Sequence, residues 1–284
     1  MKNLNFYSED CFKFYEAVIE SKNVTKNDPL YKDRVKILNT AIQTAFNNYL
    51  GAFNSNTLEA IKPVGYVLTE KEDLQQLYSF SNSKIQELLR AVTTTKSNRK
   101  RSVCPNCTVG EVNSFDHVLP QGEYSEFIVN PLNLVPSCSN CNSRKSKSFV
   151  KGGKKLFLNL YIDRIPIYQY LYAGITVKGL LDLDIRFYLS QPAGMDSDMF
   201  NLISSHYTKL NLLARFCDYI DDTVTEFENS ITPYLSLLPR TSIDDCIKEI
   251  LQKDKSLYGI NHWRCVLKES LFNNKDYMKR FDIT

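Results

Sequence analysis

The chain has 284 residues, enough to bury the core of one or two domains. Hydrophobic residues make up 43% and charged residues 24%, the balance of an ordinary globular protein and not of a fibrous or disordered one. Its net charge of only +3 is unevenly spread. Residues 96–155 hold ten Lys/Arg (Lys96, Arg99, Lys100, Arg101, Arg144, Lys145, Lys147, Lys151, Lys154, Lys155) against four acids, a local +6 that suits a phosphodiester backbone. The N-terminal stretch lacks an apolar h-region, and no run approaches the ~18 apolar residues that span a bilayer. The expectation is a cytoplasmic protein with no membrane partner.

In chain order, residues 1–95 read as a helical N-terminal arm. Ser8 is placed to cap a helix with Cys11, Phe12, Tyr15, Val18 and Ile19 on one face. Asp28-Pro29 reads as an N-cap and first helical proline, opening a helix through Leu30, Val35, Leu38, Ile42 and Phe46. Thr69–Glu72 and Ser83–Gln86 match the capping box. The polar, basic stretch 93–101 reads as a linker into a central module, residues 96–155. Residues 156–284 read as a mixed, then helical C-terminal arm. There, Leu183, Ile185, Phe187 and Leu189 alternate at strand period, and helical spacing returns from Met199 through Phe227. Two more helices are expected, one from about Ser242 and one carrying Trp263, Leu267 and Leu271. His206, His262 and the isolated Cys11, Cys217, Cys246 and Cys265 are expected to serve packing.

The central module carries the chemistry. Cys104-Pro-Asn-Cys107 and Cys138-Ser-Asn-Cys141 form two CxxC pairs, a ligand set for one tetrahedral structural zinc. No thioredoxin-like context supports a redox reading. The 30 residues between the pairs leave room for a hairpin: a strand over 112–119 ended by Pro120, and a return over 133–137. A helix from about Cys141 would follow, carrying Asn142, Arg144, Lys145 and Lys147. Asp116 and Asn142 offer hard oxygen ligands suited to magnesium or manganese. His117 offers an imidazole that is neutral near pH 7.

The stretch Phe115-Asp-His-Val-Leu-Pro120, followed by Asn130-Pro-Leu-Asn-Leu-Val-Pro-Ser-Cys-Ser-Asn-Cys-Asn-Ser-Arg-Lys145, resembles the HNH endonucleases. The match is to their zinc-stapled, treble-clef-like ββα-metal form, in the variant whose last letter is Asn. The resemblance implies a mainly α protein with a small α+β module, an HNH core between helical arms. It implies His117 as general base, Asp116 and Asn142 as ligands of a catalytic divalent metal, and Asn133 as holder of the loop that aims His117. Arg144, Lys145 and Lys147 would bind phosphate. Hydrolysis of nucleic acid, DNA ahead of RNA, would leave a 5′-phosphate and a 3′-hydroxyl.

The C-terminal motifs Gly259-Ile-Asn-His-Trp-Arg264 and Leu267-Lys-Glu-Ser-Leu271 make the whole similar to HNH nuclease subunits of Septu-type and retron-linked antiphage systems. That resemblance implies a defence effector controlled by a separate ATPase subunit, since the chain has no Walker A loop. Two alternatives stand beside it: a non-catalytic zinc module that binds nucleic acid or a partner, and a free-standing restriction or homing nuclease.

Overall fold

The computed structural model describes residues 1–95, 97–179, 182–235 and 237–281, with the backbone alone at Arg240 and Thr241. Lys96, counted in the basic run, lies outside the described residues. About half of the chain is helical, with a few small antiparallel sheets, which agrees with a mainly α protein bearing a small β component. Two compact units divide it: residues 3–164, and residues 165–284 with the first two residues.

In the first unit, helices α1 (Cys11–Ser21), α2 (Tyr31–Ile37), α3 (Asn39–Ser55), α4 (Leu68–Gln75) and α5 (Ser83–Thr93) precede the cysteine-bearing segment. Strands β1 (Ser114–His117) and β2 (Leu134–Ser137) pair antiparallel, Asp116 opposite Val135 and His117 opposite Leu134. Helix α6 (Ser139–Lys145) and a small hairpin, β3 (Val150–Lys151) and β4 (Lys154–Lys155), follow. Gly152 and Gly153 both sit at positive φ in its turn, a conformation that glycine adopts without Cβ strain. Tyr15, Ile42, Phe46 and Leu88 share one apolar core with Phe115, Phe127, Leu132 and Leu134. The N-terminal helices thus supply much of the core on which the short β1–β2 hairpin rests.

Several helix starts differ from the sequence reading, and each difference has a local cause. Asp10, not Ser8, caps α1 by accepting from the amides of Phe12 and Lys13. Asp28 does not cap a helix at Pro29. Its carboxylate takes two 2.7 Å hydrogen bonds from Arg34, which also reaches Asp73 on α4, and α2 begins at Tyr31. The helix expected through Phe46 breaks at Leu38 into α2 and α3. Thr69 lies inside α4, which has no side-chain cap. Ser83 is the first residue of α5, and Asn82 caps it through Lys84 and Ile85. The segment read as a linker folds back on itself, Thr95 donating to Arg99 and Arg101 to Thr93.

In the second unit, β5 (Leu171–Val177) and β6 (Leu183–Leu189) form an antiparallel ribbon. The expected alternation is present: Ile185 and Phe187 are buried, while Arg186 and Tyr188 face solvent. Helices α7 (Ser197–Lys209), α8 (Leu212–Cys217), α9 (Ile220–Leu235), α10 (Arg240–Tyr258), α11 (Trp263–Asn273) and α12 (Lys275–Met278) complete it. Phe187, Phe216 of α8 and Trp263 of α11 pack ring against ring. Asn261, from the Gly259–Arg264 motif, accepts from the amides of Tyr170 and Leu171 and donates to the Tyr168 carbonyl. That motif therefore anchors the start of the ribbon. His206 is buried and His262 half-buried beside aromatic rings, and Cys265 is buried while Cys11, Cys217 and Cys246 are half-buried free thiols.

The corrected cap of α5 has a measurable consequence. Asn82→Ala should lower unfolding stability by about 1 kcal/mol, and Ser83→Ala should lie within ~0.5 kcal/mol of wild type. Urea denaturation of the two variants checks this; a larger loss from Ser83→Ala would restore Ser83 as the cap.

Candidate metal and catalytic site

Two tight turns bring the cysteines together. Cys104 donates its amide to the Gly110 carbonyl at 2.7 Å, closing the first knuckle. In the second, Cys138 caps α6, its sulfur accepting from the Cys141 amide at 3.4 Å. All four sulfurs are buried and lie within 4.8 Å of one another. The Cys107 and Cys138 sulfurs are 3.8 Å apart, close to the about 3.8 Å edge of a tetrahedron with 2.3 Å Zn–S bonds. The Gly110 amide points at Cys107 Sγ from 3.4 Å, the kind of donor that favours thiolate. A Cβ at Gly110 would stand 3.1 Å from both Cβ and Sγ of Cys138, so a side chain there would press on a cysteine of the cluster. The cluster can hold a metal such as zinc.

The second group of expected residues lies on β1, the loop before β2, and α6. The strand is shorter than the expected 112–119, and α6 starts at Ser139, two residues earlier than expected. Asp116 and His117 end β1, 8% and 6% exposed. His117 Nε2 is 2.9 Å from the Ile128 carbonyl oxygen. A carbonyl only accepts, so Nε2 carries the proton and Nδ1 keeps the lone pair. The Tyr78 ring meets the imidazole edge-on at 4.8 Å, and the Tyr78 hydroxyl accepts from the Phe115 amide. Burial drops the His117 pKa to about 4; the Ile128 hydrogen bond opposes the shift and the Lys145 ammonium adds to it. The ring is therefore neutral at physiological pH.

Asn133 is fully buried and its amide is saturated. Its Oδ1 accepts from the Leu119 amide at 2.7 Å and lies 3.2 Å from the Tyr49 hydroxyl. Its Nδ2 donates to the carbonyls of Leu119 and Phe127. One side chain so ties the segment leaving His117 to the loop that presents the Ile128 carbonyl. Asn142 donates from Nδ2 to the Phe115 carbonyl at 3.2 Å, which leaves its amide oxygen as the atom suited to a cation.

The three residues expected to bind phosphate do not share one surface. Arg144 and Lys147 are exposed, Arg144 bonding to Asn140 Oδ1. Lys145 is buried, 3.0 Å from Asp116 Oδ1 and bonded to the His117 carbonyl. Burial pushes the Asp116 carboxyl up from the usual carboxylate range, and Lys145 pulls against that shift. Sequence reasoning missed Ile128, Tyr78 and Gly110. Only the glycine, three residues beyond a CxxC pair, carried a signal.

No family model matches the chain, and no solved structure matches it. Two curated proteins are similar. One is protein ea31 of Escherichia phage lambda, 26% identical over 189 residues, covering 62% of this chain and 63% of that protein. The other is Septu protein PtuB of Bacillus thuringiensis, 31% identical over 96 residues, covering 31% of this chain and 36% of that protein. The chain thus spans less than two thirds of the length of either relative. The second is named for a Septu system.

Metal analysis of the purified protein should return one tightly bound zinc per chain. Cys104→Ser and Cys138→Ser should lose it together with the fold of the module, and Gly110→Ala should weaken it. A zinc-free wild type, or cysteine variants with unchanged melting, would contradict the assignment.

Proposed function

We propose that the chain is a metal-dependent HNH endonuclease, the nuclease effector of an antiphage defence system. The observation that carries this reading is the state of His117. It is a neutral imidazole whose Nε2–H is held by the Ile128 carbonyl, so Nδ1 is the basic atom. A ring oriented in this way can take a proton from water attacking a phosphodiester, the role of a general base. Asp116 and Asn142 are hard oxygen donors on β1 and α6, and both fit magnesium or manganese. Such an ion, when bound, supplies charge neutralisation at the scissile phosphate and the leaving 3′-oxygen. Asn133 keeps the base aimed by bracing the loop behind it, while exposed Arg144 and Lys147 offer cations to the nucleic-acid backbone. Products with 5′-phosphate and 3′-hydroxyl ends follow when water attacks the phosphorus and the 3′-oxygen leaves and is protonated, with DNA favoured as substrate.

The similarity to a protein named Septu PtuB supports the defence assignment and a protein partner. An ATPase subunit is the partner proposed, docked on helical surfaces outside 96–155. Mass determination of the complex purified from its native operon tests this, and elution of the chain alone argues for a free-standing nuclease. The alternative of a non-catalytic zinc module draws on one observation, the buried pairing of Asp116 with Lys145.

His117→Ala should cut the cleavage rate by about 10²–10⁴-fold with zinc content unchanged, and should lower the melting temperature because the buried Ile128 carbonyl loses its partner. Retained cleavage would contradict His117 as the base. Because the pKa of His117 is lowered to about 4, the base stays unprotonated as pH falls through 6.5. The pH profile of kcat/KM should therefore show no histidine inflection there; a fall centred near 6.5 would contradict a buried neutral base.

A further inference from the structure

Lys145 has a geometry that a phosphate contact does not need. It is the last residue of α6 and only 5% exposed, whereas a cation that follows a phosphate backbone must be reachable from solvent. Its ammonium spends two hydrogen bonds inside the protein, on Asp116 Oδ1 at 3.0 Å and on the His117 carbonyl at 2.5 Å. Both acceptors belong to the two residues that close β1.

The same short helix makes two other fixed contacts. Its N-terminal end is set by Cys138 and Cys141 of the cysteine cluster, and Asn142 donates to the Phe115 carbonyl. Three consecutive residues of β1 are thereby fastened to α6, Phe115 through Asn142, and Asp116 and His117 through Lys145. We infer that Lys145 is a positioning residue that locks the reacting end of β1 to the cysteine-anchored helix, and that it is not a phosphate ligand. The inference rests on the nuclease reading of Asp116 and His117. A buried carboxylate stripped of its counter-charge is strongly unfavourable, so Asp116 without Lys145 would shift or take up a proton. Displacement of catalytic groups by about 1 Å costs on the order of 10²-fold in rate.

Lys145→Met and Arg144→Ala separate the two roles, assayed on a linear duplex DNA with magnesium and manganese in turn. Lys145→Met should lower kcat by about 10²-fold. KM and the salt dependence of binding should stay near wild type, with Lys145→Arg recovering part of the rate. Arg144→Ala should instead weaken binding and reduce the slope of log K against log salt by about one. A Lys145→Met protein with kcat intact and that reduced slope overturns the inference. Should Lys145→Met fail to fold, a melting cycle of Lys145→Gln and Asp116→Asn decides, and it needs no activity. Lys145→Gln should then cost much less in the Asp116→Asn background than in wild type; equal losses in both overturn the inference. A wild type that cleaves nothing even with its co-purified partners, with strong coupling in the melting cycle, refutes the nuclease reading while leaving the Lys145–Asp116 lock in place.

Discussion

The Asn133 side chain is the constraint through which the proposed site holds together. It lies in a fully buried position and reaches three main-chain groups, the Leu119 amide and the carbonyls of Leu119 and Phe127. The first two belong to the segment leaving His117, and the third lies one residue from Ile128. A buried amide is stable only when its donors and acceptors are satisfied, and here satisfying it sets the spacing between the His117 ring and the carbonyl that fixes its tautomer. Tyr49, on α3, reaches the same amide, so the N-terminal helices bear directly on the placement of His117.

The other side of the hairpin is fixed by charge and by sulfur. Four buried thiols cluster where the two knuckles meet, and α6 runs from the second knuckle to Lys145. The helix has only seven residues, too short to hold itself in isolation. Its placement depends on the cysteines at one end and on the Lys145–Asp116 pair at the other. Burial works on both titratable residues of β1: it keeps the His117 imidazole neutral, and it pushes the Asp116 carboxyl up while Lys145 pulls it back.

How much of this was legible in the sequence depends on whether a signal is local. The CxxC pairs can be read because four sulfurs at those spacings suit one chemistry, and they do converge. The β6 strand can be read because Ile185 and Phe187 face a core while Arg186 and Tyr188 face water, which imprints period two. Helix starts were misplaced where two capping residues stand close together. Asp10 lies near Ser8 and Asn82 beside Ser83, and the cap is whichever side chain reaches the free amides of the first turn. Lys145 sits in a basic run and reads as a phosphate contact; the partner that buries it, Asp116, lies 29 positions away. The Ile128 carbonyl is a main-chain atom with no sequence signature at all.

The central claim, that His117 activates water against a phosphodiester, is tested most directly by cleavage in ¹⁸O-labelled water. The protein, with its co-purified partners, would act on duplex DNA with magnesium or manganese. Mass analysis of the ends should find a single ¹⁸O in the 5′-phosphate and an unlabelled 3′-hydroxyl, with product from His117→Ala formed about 10²–10⁴-fold more slowly. A 3′-phosphate end, label on the 3′ side, or intact DNA with either metal would contradict it.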